Sequence, residues 1–259
     1  MKAVQIKAKI ISNRKNSSNF WHLEFESGLI ARRAQPGQFV NIRVADILDP
    51  LLRRPISIHG VRGSRVKIIY EVVGKGTQIL SSRKPGELLD ILGPLGNGFS
   101  YRRPVRSKEA KNILVAGGMG VAPLVFLAEK LKLSRPLVLI GARSRNQIIC
   151  LPEFKAAGCP VKLATEDGSI GFKGRVTDLL KVVLEQQTGV VSLFSCGPHL
   201  MLKAVARIAH KNKIPAQLSL EEHMACGIGA CLGCEVLTST GYKSVCKDGP
   251  VFSGEELIW

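Results

Sequence analysis

Four of the seven cysteines of this 259-residue chain lie within its last 34 residues, where their spacing is typical of a metal site. Cys226, Cys231 and Cys234 form a C-x4-C-x2-C pattern, and Cys246 follows after eleven further residues. The first three spacings match those of plant-type [2Fe–2S] proteins, in which four thiolates hold two irons. Small residues between them let backbone N–H groups approach the sulfur atoms. The sequence therefore predicts a [2Fe–2S] cluster on these four cysteines.

Zinc is the alternative metal for four cysteines, and the spacing argues against it. Structural zinc sites usually combine two short pairs of cysteines, whereas this chain has a single C-x2-C, formed by Cys231 and Cys234. The short interval before Cys246 predicts a compact appended domain. Cys150 and Cys159 lie outside the pattern and are predicted to be small buried side chains.

A second motif suits a dinucleotide. Gly118, Gly120 and Pro123 form G-x-G-x-x-P between a predicted strand and a predicted helix. Glycines allow close approach of the backbone, and a helix N-terminus attracts pyrophosphate. A purely structural strand-to-helix turn is the alternative. The acidic residue expected about 20 positions later for the ribose is absent, and Arg143 and Arg145 follow the next strand instead. The choice between NAD and NADP is therefore open.

A third motif combines arginine and serine with a glycine-rich turn. Arg54 and Ser57 lie at the start of a predicted strand, and the turn Gly74-Lys75-Gly76-Thr77 follows a strand that contains Tyr70. A guanidinium group and free backbone N–H groups at the start of a helix together bind pyrophosphate.

The elements that must position these motifs change character twice along the chain. Residues 1–105 alternate apolar and polar positions between turns, as in an antiparallel barrel or sandwich. Residues 106–218, after a basic linker near 101–111, alternate buried strands with helices and predict a parallel sheet. Its predicted strands are Asn112–Ala116, Leu137–Gly141, Val161–Thr165, Val190–Ser195 and Ala216–Leu218, and its predicted helices are Ala122–Leu133, Val176–Glu185 and Pro198–His210. Residues 219–259 are loop-like, and Trp259 is predicted to be a frayed terminus.

The distribution of charge and the apolar content of the chain argue against nucleic-acid-binding, secreted and membrane-spanning proteins. The net charge is +17, but aromatic residues make up only 5% and the basic residues are scattered, unlike the concentrated patch of a nucleic-acid-binding module. The segment 219–259 has the opposite sign, with six acidic and two basic residues. The N-terminus lacks the apolar stretch of a signal peptide, and no segment predicts a membrane span. We expect a cytoplasmic protein without disulfides. A basic nucleic-acid-binding protein with a zinc tail is the alternative from another class.

Five segments together resemble the electron-transfer subunits of type B dihydroorotate dehydrogenases, a group with ferredoxin-NADP-reductase-like architecture. They are Arg54-Pro55-Ile56-Ser57, Gly117–Pro123, Ser195-Cys196-Gly197-Pro198, the run from Glu222 to Cys231 and the run from Val245 to Phe252. The resemblance covers the whole chain in the same order. It implies a β + α/β fold with an antiparallel FAD-binding β-barrel (1–105), a parallel-sheet NAD-binding α/β domain (106–218) and a small [2Fe–2S] domain (219–259).

The resemblance also implies cofactor contacts. For FAD they are Arg54, Pro55, Ile56, Ser57, Ile69, Tyr70, Glu71, Val72, Gly76 and Thr77. For NAD they are Gly118, Gly120, Pro123, Thr165, Asp167, Cys196, Gly197 and Pro198. Arg54 would pair with the FAD pyrophosphate, Ser57 would lie near flavin N5, and Cys196 would lie beside the nicotinamide. Ile56 stands where related reductases often have an aromatic residue, so apolar packing replaces ring stacking. No residue is assigned as a general acid or base.

The implied function is electron transfer. Electrons from dihydroorotate would reach the FMN of a separate catalytic subunit, pass singly through the cluster to FAD, and leave as hydride to NAD⁺ in pyrimidine biosynthesis. A flavin must lie between the cluster and the nicotinamide, because nicotinamide exchanges electrons in pairs whereas the cluster exchanges them singly. The expected partner is that FMN-containing subunit, in a heterotetramer, with no nucleic acid or membrane involved. The alternatives within the reductase group are a subunit of a bifurcating transhydrogenase or hydrogenase and a reductase of an oxygenase system.

Overall fold

The computed structural model describes residues 3–16, 19–101, 111–186 and 191–259. The chain divides into two compact units, each built from several segments. The first unit comprises Met1–Gly98, Glu222–Val236 and Lys243–Pro250, and the second comprises Phe99–Glu221, Leu237–Tyr242 and Val251–Trp259. The three-domain division stays a prediction. The boundary at 105/106 and all of the predicted linker but its end residues, 101 and 111, lie in the 102–110 gap outside the described residues.

Six antiparallel strands of the first unit close into a barrel in the order β1-β2-β5-β4-β3-β6. The strands are β1 (Val4–Lys15), β2 (Phe20–Glu26), β3 (Phe39–Arg43), β4 (Arg54–Arg62), β5 (Arg65–Glu71) and β6 (Leu88–Leu95). Two short helices connect them, α1 (Gly28–Arg33) and α2 (Lys75–Ser82). Closure leaves no unpaired edge, since every strand has a neighbour on both sides.

Alternation along these strands builds the barrel core. The side chains of Leu23, Phe25, Ile58, Ile68 and Ile91 are fully buried, while intervening polar side chains are more exposed, as the two-residue period of a strand requires. The hairpin of β4 and β5 turns at residues 62–65 and pairs Arg62 with Arg65. The start of β4 and the end of β5 therefore lie at the same edge of the barrel.

The second unit contains a seven-stranded sheet in the order β10-β9-β8-β7-β11-β12-β15. Its strands are β7 (Lys111–Gly117), β8 (Leu137–Ala142), β9 (Val161–Thr165), β10 (Phe172–Lys173), β11 (Val191–Cys196), β12 (Ala216–Ser219) and β15 (Val251–Ser253). Its helices are α3 (Val121–Lys130), α4 (Leu151–Ala156), α5 (Val176–Glu185) and α6 (His199–Lys211). All neighbouring strands are parallel except β12 and β15, which are antiparallel.

The apolar runs explain why these strands are parallel and central. From Asn112 to Gly117, every residue of β7 is buried, as is typical of a strand with helices over both faces of its sheet. The helix α5 has the bounds predicted for it, and the five predicted strands of this region differ from those observed by one residue at most at each end.

The C-terminal segment is more ordered than a loop. It contains β13 (Glu235–Thr238) and β14 (Gly241–Ser244), which form a two-stranded sheet, and β15, which pairs with β12. The expectation of a loop-like tail was wrong because three residues, Val251–Ser253, satisfy their backbone groups by extending the large sheet. None of the helices in the described part of the chain is long and apolar enough to span a bilayer. The predicted fold class, an antiparallel barrel followed by a parallel α/β unit, is confirmed.

Candidate functional site

The four C-terminal cysteines lie together in the first unit. Cys226 and Cys231 belong to the loop that precedes β13, Cys234 comes directly before that strand, and Cys246 follows β14. Cys234 and Cys246 are buried, whereas Cys231 is exposed. The main-chain N–H of Val245 donates to the carbonyl of Cys234 at 3.0 Å. The small two-stranded sheet thus brings the fourth cysteine back to the other three.

Backbone N–H groups of the cysteine loop point at sulfur atoms. Those of Ile228 and Ala230 donate to the Sγ of Cys226 at 3.5 and 3.3 Å. The N–H of Gly229 donates to the Sγ of Cys246 at 3.0 Å. Such donors favour the thiolate form that binds metal and tune the potential of an iron–sulfur cluster.

The four thiols lie close enough to influence one another. Cys231 acts on Cys226, and both Cys234 and Cys226 act on Cys246. Burial alone would raise the pKa of Cys226, but backbone N–H donors outweigh burial and hold this pKa below its usual value. Burial and the neighbouring Cys234 raise the pKa of Cys246. Four soft sulfur ligands gathered in one place fit two irons, each of which takes two thiolates.

The barrel holds the segment after Cys246 in place. The side-chain Nδ2 of Asn97, just after β6, donates to the carbonyls of Lys247 and Asp248 at 3.1 and 2.9 Å. The carboxylate of Asp248 in turn accepts from the N–H of Ser244 at 2.8 Å. Asn97 was not predicted as a site residue, since only the structure brings it next to a segment 150 positions away.

The predicted FAD residues gather at one edge of the barrel. Arg54–Ser57 start β4, Ile69–Glu71 end β5, and Val72 follows β5 directly. Gly76 and Thr77 lie in the first turn of α2. Ile56, Ile69 and Tyr70 are buried, whereas Arg54, Pro55, Ser57, Glu71, Val72 and Thr77 are partly exposed. The hairpin therefore unites two of the three predicted groups, and α2 adds the third.

The guanidinium group of Arg54 lies directly against Gly76. A Cβ atom added to Gly76 would come within 2.5 Å of the Arg54 Cζ and Nη2 atoms. The first N–H groups of a helix have no partners within the helix, and here an arginine side chain lies beside them. The hydroxyl of Thr77 accepts from the N–H groups of Val73 and Gly74 at 3.0 and 3.2 Å, which fixes the turn. This arrangement fits the pyrophosphate of a dinucleotide cofactor.

Tyr70 is fixed by its neighbours in the barrel. Its hydroxyl donates to the Oδ1 of Asn13 at 3.0 Å, and its ring stacks with Trp21 at a centroid distance of 6.4 Å. Burial raises the pKa of Tyr70 further above its usual value. The hydrogen bond to Asn13 and the contact with Trp21 hold the neutral side chain in place.

The second motif lies at the carboxyl edge of the large sheet. Gly118 and Gly120 belong to a short 3-10 turn after β7, and Pro123 is the third residue of α3. Cys196 ends β11, in register with Ala116 of the neighbouring strand β7. A Cβ atom on Gly120 would come within 2.6 Å of the nitrogen of Gly197. The two strand-to-helix turns, with Gly197 and Pro198 in the second, thus touch through their backbones.

Cys196 has a polar neighbour that the sequence did not predict. Burial raises the pKa of its thiol, and the negative charge of Glu221 raises it further. Ser219 ends β12 in register with Cys196, and Glu221 follows two residues later. The position of Glu221 just beyond the carboxyl end of a parallel strand, where ligands bind in α/β sheets, was a sequence signal that could have marked it as a site residue.

Thr165 and Asp167 are engaged within their own turn. The Thr165 hydroxyl donates to the carbonyl of Ile170 at 2.8 Å and accepts from its N–H at 3.1 Å. The carboxylate of Asp167 accepts from the hydroxyl and the N–H of Ser169 at 2.6 and 2.9 Å, which holds the pKa of Asp167 below its usual value. The hydroxyl of Ser169 also accepts from the N–H of Arg145 at 2.8 Å, which links the two turns.

Three isolated residues complete the comparison with the sequence predictions. Cys150 and Cys159 are buried, as predicted. Trp259 was expected to be a frayed terminus, and that was wrong. Its ring packs edge-on against His199 with centroids 4.9 Å apart, and its Nε1 atom is buried. Aromatic packing against the start of α6 anchors the end of the chain.

Comparisons with known proteins agree with this arrangement. Residues 221–258 match the family model of the iron–sulfur cluster binding domain of dihydroorotate dehydrogenase B. The dihydroorotate dehydrogenase B (NAD(+)) electron transfer subunit of Desulforamulus reducens is 40% identical over 260 residues, 97% of each chain. That of Clostridium acetobutylicum is 41% identical over 250 residues, 96% of each chain.

This chain belongs to the dihydroorotate dehydrogenase B electron transfer subunits. The resemblance found in the sequence is thereby confirmed, and with it an oxidoreductase role in electron transfer. FAD and a [2Fe–2S] cluster as cofactors of the family are confirmed as well. The name of these relatives as a subunit also implies a catalytic partner.

Solved structures place the family in a wider fold group. An NADH-dependent reduced ferredoxin-NADP oxidoreductase, studied for flavin-based electron bifurcation, superposes with a TM-score of 0.85 and 31% identity, over 97% of this chain and 90% of that one. The ferredoxin reductase of carbazole 1,9a-dioxygenase has a TM-score of 0.68 and 17% identity, over 83% and 67% of the two chains. The second likeness concerns the fold alone. The electron transfer subunits of dihydroorotate dehydrogenase B thus share the ferredoxin reductase architecture.

Proposed function

We propose that this chain passes electrons from the FMN of a dihydroorotate dehydrogenase catalytic subunit to NAD⁺, by way of a [2Fe–2S] cluster and FAD. The observation that carries the proposal is the cysteine loop, where backbone N–H groups donate to the sulfur atoms of Cys226 and Cys246. The family relationship supports the substrate and the acceptor, since its members are named for dihydroorotate and NAD(+).

The cofactors supply the redox chemistry, because a flavin exchanges one or two electrons, the cluster one, and nicotinamide a hydride. The chain itself contributes binding and electrostatics. Cys226, Cys231, Cys234 and Cys246 are the proposed cluster ligands. Their loop supplies N–H groups that stabilise negative charge on the sulfur atoms.

The barrel edge is the proposed FAD site. Arg54 and the first turn of α2 bind the pyrophosphate, since the guanidinium already lies against Gly76. Ser57 is placed near the flavin N5 edge, and Ile56 packs against the ring. The remaining contacts assigned to FAD are Pro55, Ile69, Tyr70, Glu71, Val72 and Thr77.

The carboxyl edge of the large sheet is the proposed NAD site. In open α/β sheets, ligands bind beyond the carboxyl ends of the strands. The two strand-to-helix turns, after β7 and after β11, lie at this edge. The assigned contacts are Gly118, Gly120, Pro123, Thr165, Asp167, Cys196, Gly197 and Pro198. We propose NAD and not NADP because the relatives are named for NAD(+). Since Cys196 is buried and holds its proton, its part is contact with the nicotinamide and not acid–base chemistry.

The partner is the FMN-containing catalytic subunit, and the assembly is a heterotetramer. Dihydroorotate oxidation needs a catalytic base, which we assign to that partner. A cytoplasmic location stays a prediction.

One experiment separates this function from its alternatives. Anaerobically purified chain is examined by visible and electron paramagnetic resonance (EPR) spectroscopy before and after NADH, and then mixed with the FMN subunit and dihydroorotate. We expect flavin and cluster signals, reduction of both by NADH, and NAD⁺ reduction by dihydroorotate only with the partner present. A colourless protein that contains zinc would overturn the proposal.

A bifurcating reductase is the second candidate, favoured by the 31% identity to the reduced ferredoxin-NADP oxidoreductase. It predicts turnover with reduced ferredoxin and NADP⁺ when the appropriate second subunit is supplied. Inactivity with dihydroorotate combined with activity in that assay would favour this candidate.

A further inference from the structure

Asn41 is a fully buried amide in the wall of the barrel. It lies on β3, where its side chain has no exposed surface, and it pairs in register with Pro55 of β4. Neither its Nδ2 nor its Oδ1 atom has a hydrogen-bond partner among the described residues. Buried amides in native proteins are ordinarily bonded, so such a group calls for an explanation.

A nearby amide on the same chain segment shows the ordinary case. Gln38 is buried too, and its Oε1 accepts from the N–H of Gln35 at 2.8 Å. Its Nε2 donates to the carbonyl of Gly96 at 2.7 Å. The fold thus satisfies a buried amide three residues before Asn41, whereas both polar atoms of the Asn41 amide stay without a partner.

The amide of Asn41 faces the start of the cysteine loop. A Cβ atom on Gly227 would come within 2.6 Å of the Asn41 Nδ2 and 3.5 Å of Leu95 Cδ1. Gly227 has a φ of +73° and directly follows Cys226. Both the positive φ and the contact require glycine. The amide is therefore enclosed between the barrel wall and the backbone next to the first proposed cluster ligand.

The register separates Asn41 from Arg54, the residue of the proposed pyrophosphate site. Arg54 pairs with Ile42, whereas Asn41 pairs with Pro55. Consecutive residues of a strand face opposite sides, so Asn41 and Arg54 belong to opposite faces of the barrel wall. The hydrogen-bond acceptor for the Asn41 amide therefore belongs on the side of the cysteine loop and not at the pyrophosphate.

We propose that the Nδ2 of Asn41 donates a hydrogen bond to a sulfur atom of the bound [2Fe–2S] cluster and raises its reduction potential. This inference rests on the four cysteine ligands proposed above. The N–H donors of the loop reach Cys226 and Cys246 from within the loop, and Asn41 adds one from the barrel. A donor favours the more negative, reduced cluster, and burial strengthens the effect. Asn41 is thus a positioning and tuning residue.

The test uses the purified chain with its cluster and FAD, in an EPR-monitored redox titration that also follows the flavin by visible absorbance. Asn41→Leu keeps the branched shape of the side chain and removes the donor. We expect its cluster equilibrium to shift about tenfold toward the oxidised form, equivalent to about 59 mV for one electron. Asn41→Asp keeps the shape, removes the donor and adds negative charge, so its shift must be larger in the same direction.

The control is Ser27→Ala, which removes another buried polar group of the barrel, the one that accepts from the N–H of Ile30 at 3.2 Å. It is expected to lower the melting temperature and leave the cluster potential unchanged. Unchanged cluster potentials in both Asn41 variants, or a shift confined to the flavin, would overturn the inference while leaving the proposed function intact. If the parent chain shows no cluster signal, the cysteine assignment fails and the inference fails with it.

Discussion

At the scale of single residues, the chemistry depends on which atoms the backbone leaves available. The sulfur atom of Cys226 receives two main-chain N–H donors, and the guanidinium group of Arg54 lies where any side chain at position 76 would stand. In the first case the turn of the loop brings N–H groups to the sulfur, and in the second the missing side chain of Gly76 leaves room for the guanidinium. Substitutions that change one atom group at these positions therefore test the assignments directly.

Cys231→Ala removes one proposed ligand at little cost in packing, since this side chain is exposed. We expect iron and acid-labile sulfide to fall from about two atoms each per chain to near zero, with FAD retained. Metal analysis and visible spectra measure both. Cys159→Ala is the matched control, because Cys159 is a cysteine outside the pattern, and it should retain the full cluster. Full iron content in Cys231→Ala would contradict the ligand assignment.

Gly76→Ala places a methyl group against the Arg54 guanidinium, whereas Gly74→Ala meets open space. Hydrogen bonds to charged groups contribute about 1.5–3 kcal/mol, so displacement of Arg54 should weaken FAD binding roughly 10- to 100-fold. Flavin fluorescence titration of the FAD-free chain measures the dissociation constant. Gly74→Ala should bind FAD like the parent. Equal affinity in both variants would remove Arg54 from the pyrophosphate site.

At the scale of elements, the proposed FAD and NAD residues lie at the ends of strands and in the turns that follow them. Three predicted FAD segments meet because β4 and β5 form a hairpin and α2 follows it. The two glycine turns meet because β7 and β11 are parallel neighbours. The order of strands and helices could be predicted from the sequence, because the spacing of apolar residues is a local property of each segment. The pairing of β15 with β12 could not, because three residues carry too little pattern to show a strand.

Gly120→Ala tests the contact between the two strand-to-helix turns. The added methyl group would overlap the backbone of Cys196 and Gly197, and overpacking of this kind costs about 1–3 kcal/mol. We expect a lower melting temperature and a higher KM for NADH in reduction of an artificial acceptor through the flavin. Gly74→Ala again serves as the control. A variant with parental stability and KM would show that the turns adjust freely and that their contact does not shape the site.

At the scale of the whole molecule, the large positive net charge bears on how the chain associates with a partner. The net charge is +17, and the described ion pairs involve only a minority of the basic side chains. Charge of this size governs association and solubility and does not specify the fold. An acidic docking face on the catalytic subunit would account for it.

The complex with the catalytic subunit should therefore weaken as salt rises. We expect its dissociation constant to increase at least severalfold between about 0.05 M and about 0.5 M salt, where screening shortens the Debye length several times. Surface plasmon resonance or analytical ultracentrifugation measures the dissociation constant at each salt concentration. A matched series in which glycerol replaces salt controls for general effects of solution composition. Equal affinity across the salt series would exclude electrostatic docking.

The sequence by itself determined the four-cysteine motif, the glycine turns and the order of a strand-rich part before an α/β part, because spacing and periodicity are local properties of a chain. Only the tertiary structure decided that Arg54 lies on Gly76, that the charge of Glu221 acts on the thiol of Cys196, and that the amide of Asn41 is enclosed under Gly227. These contacts join residues 22 to 186 positions apart. Strand register and burial create them, and neither is encoded in any short stretch of sequence.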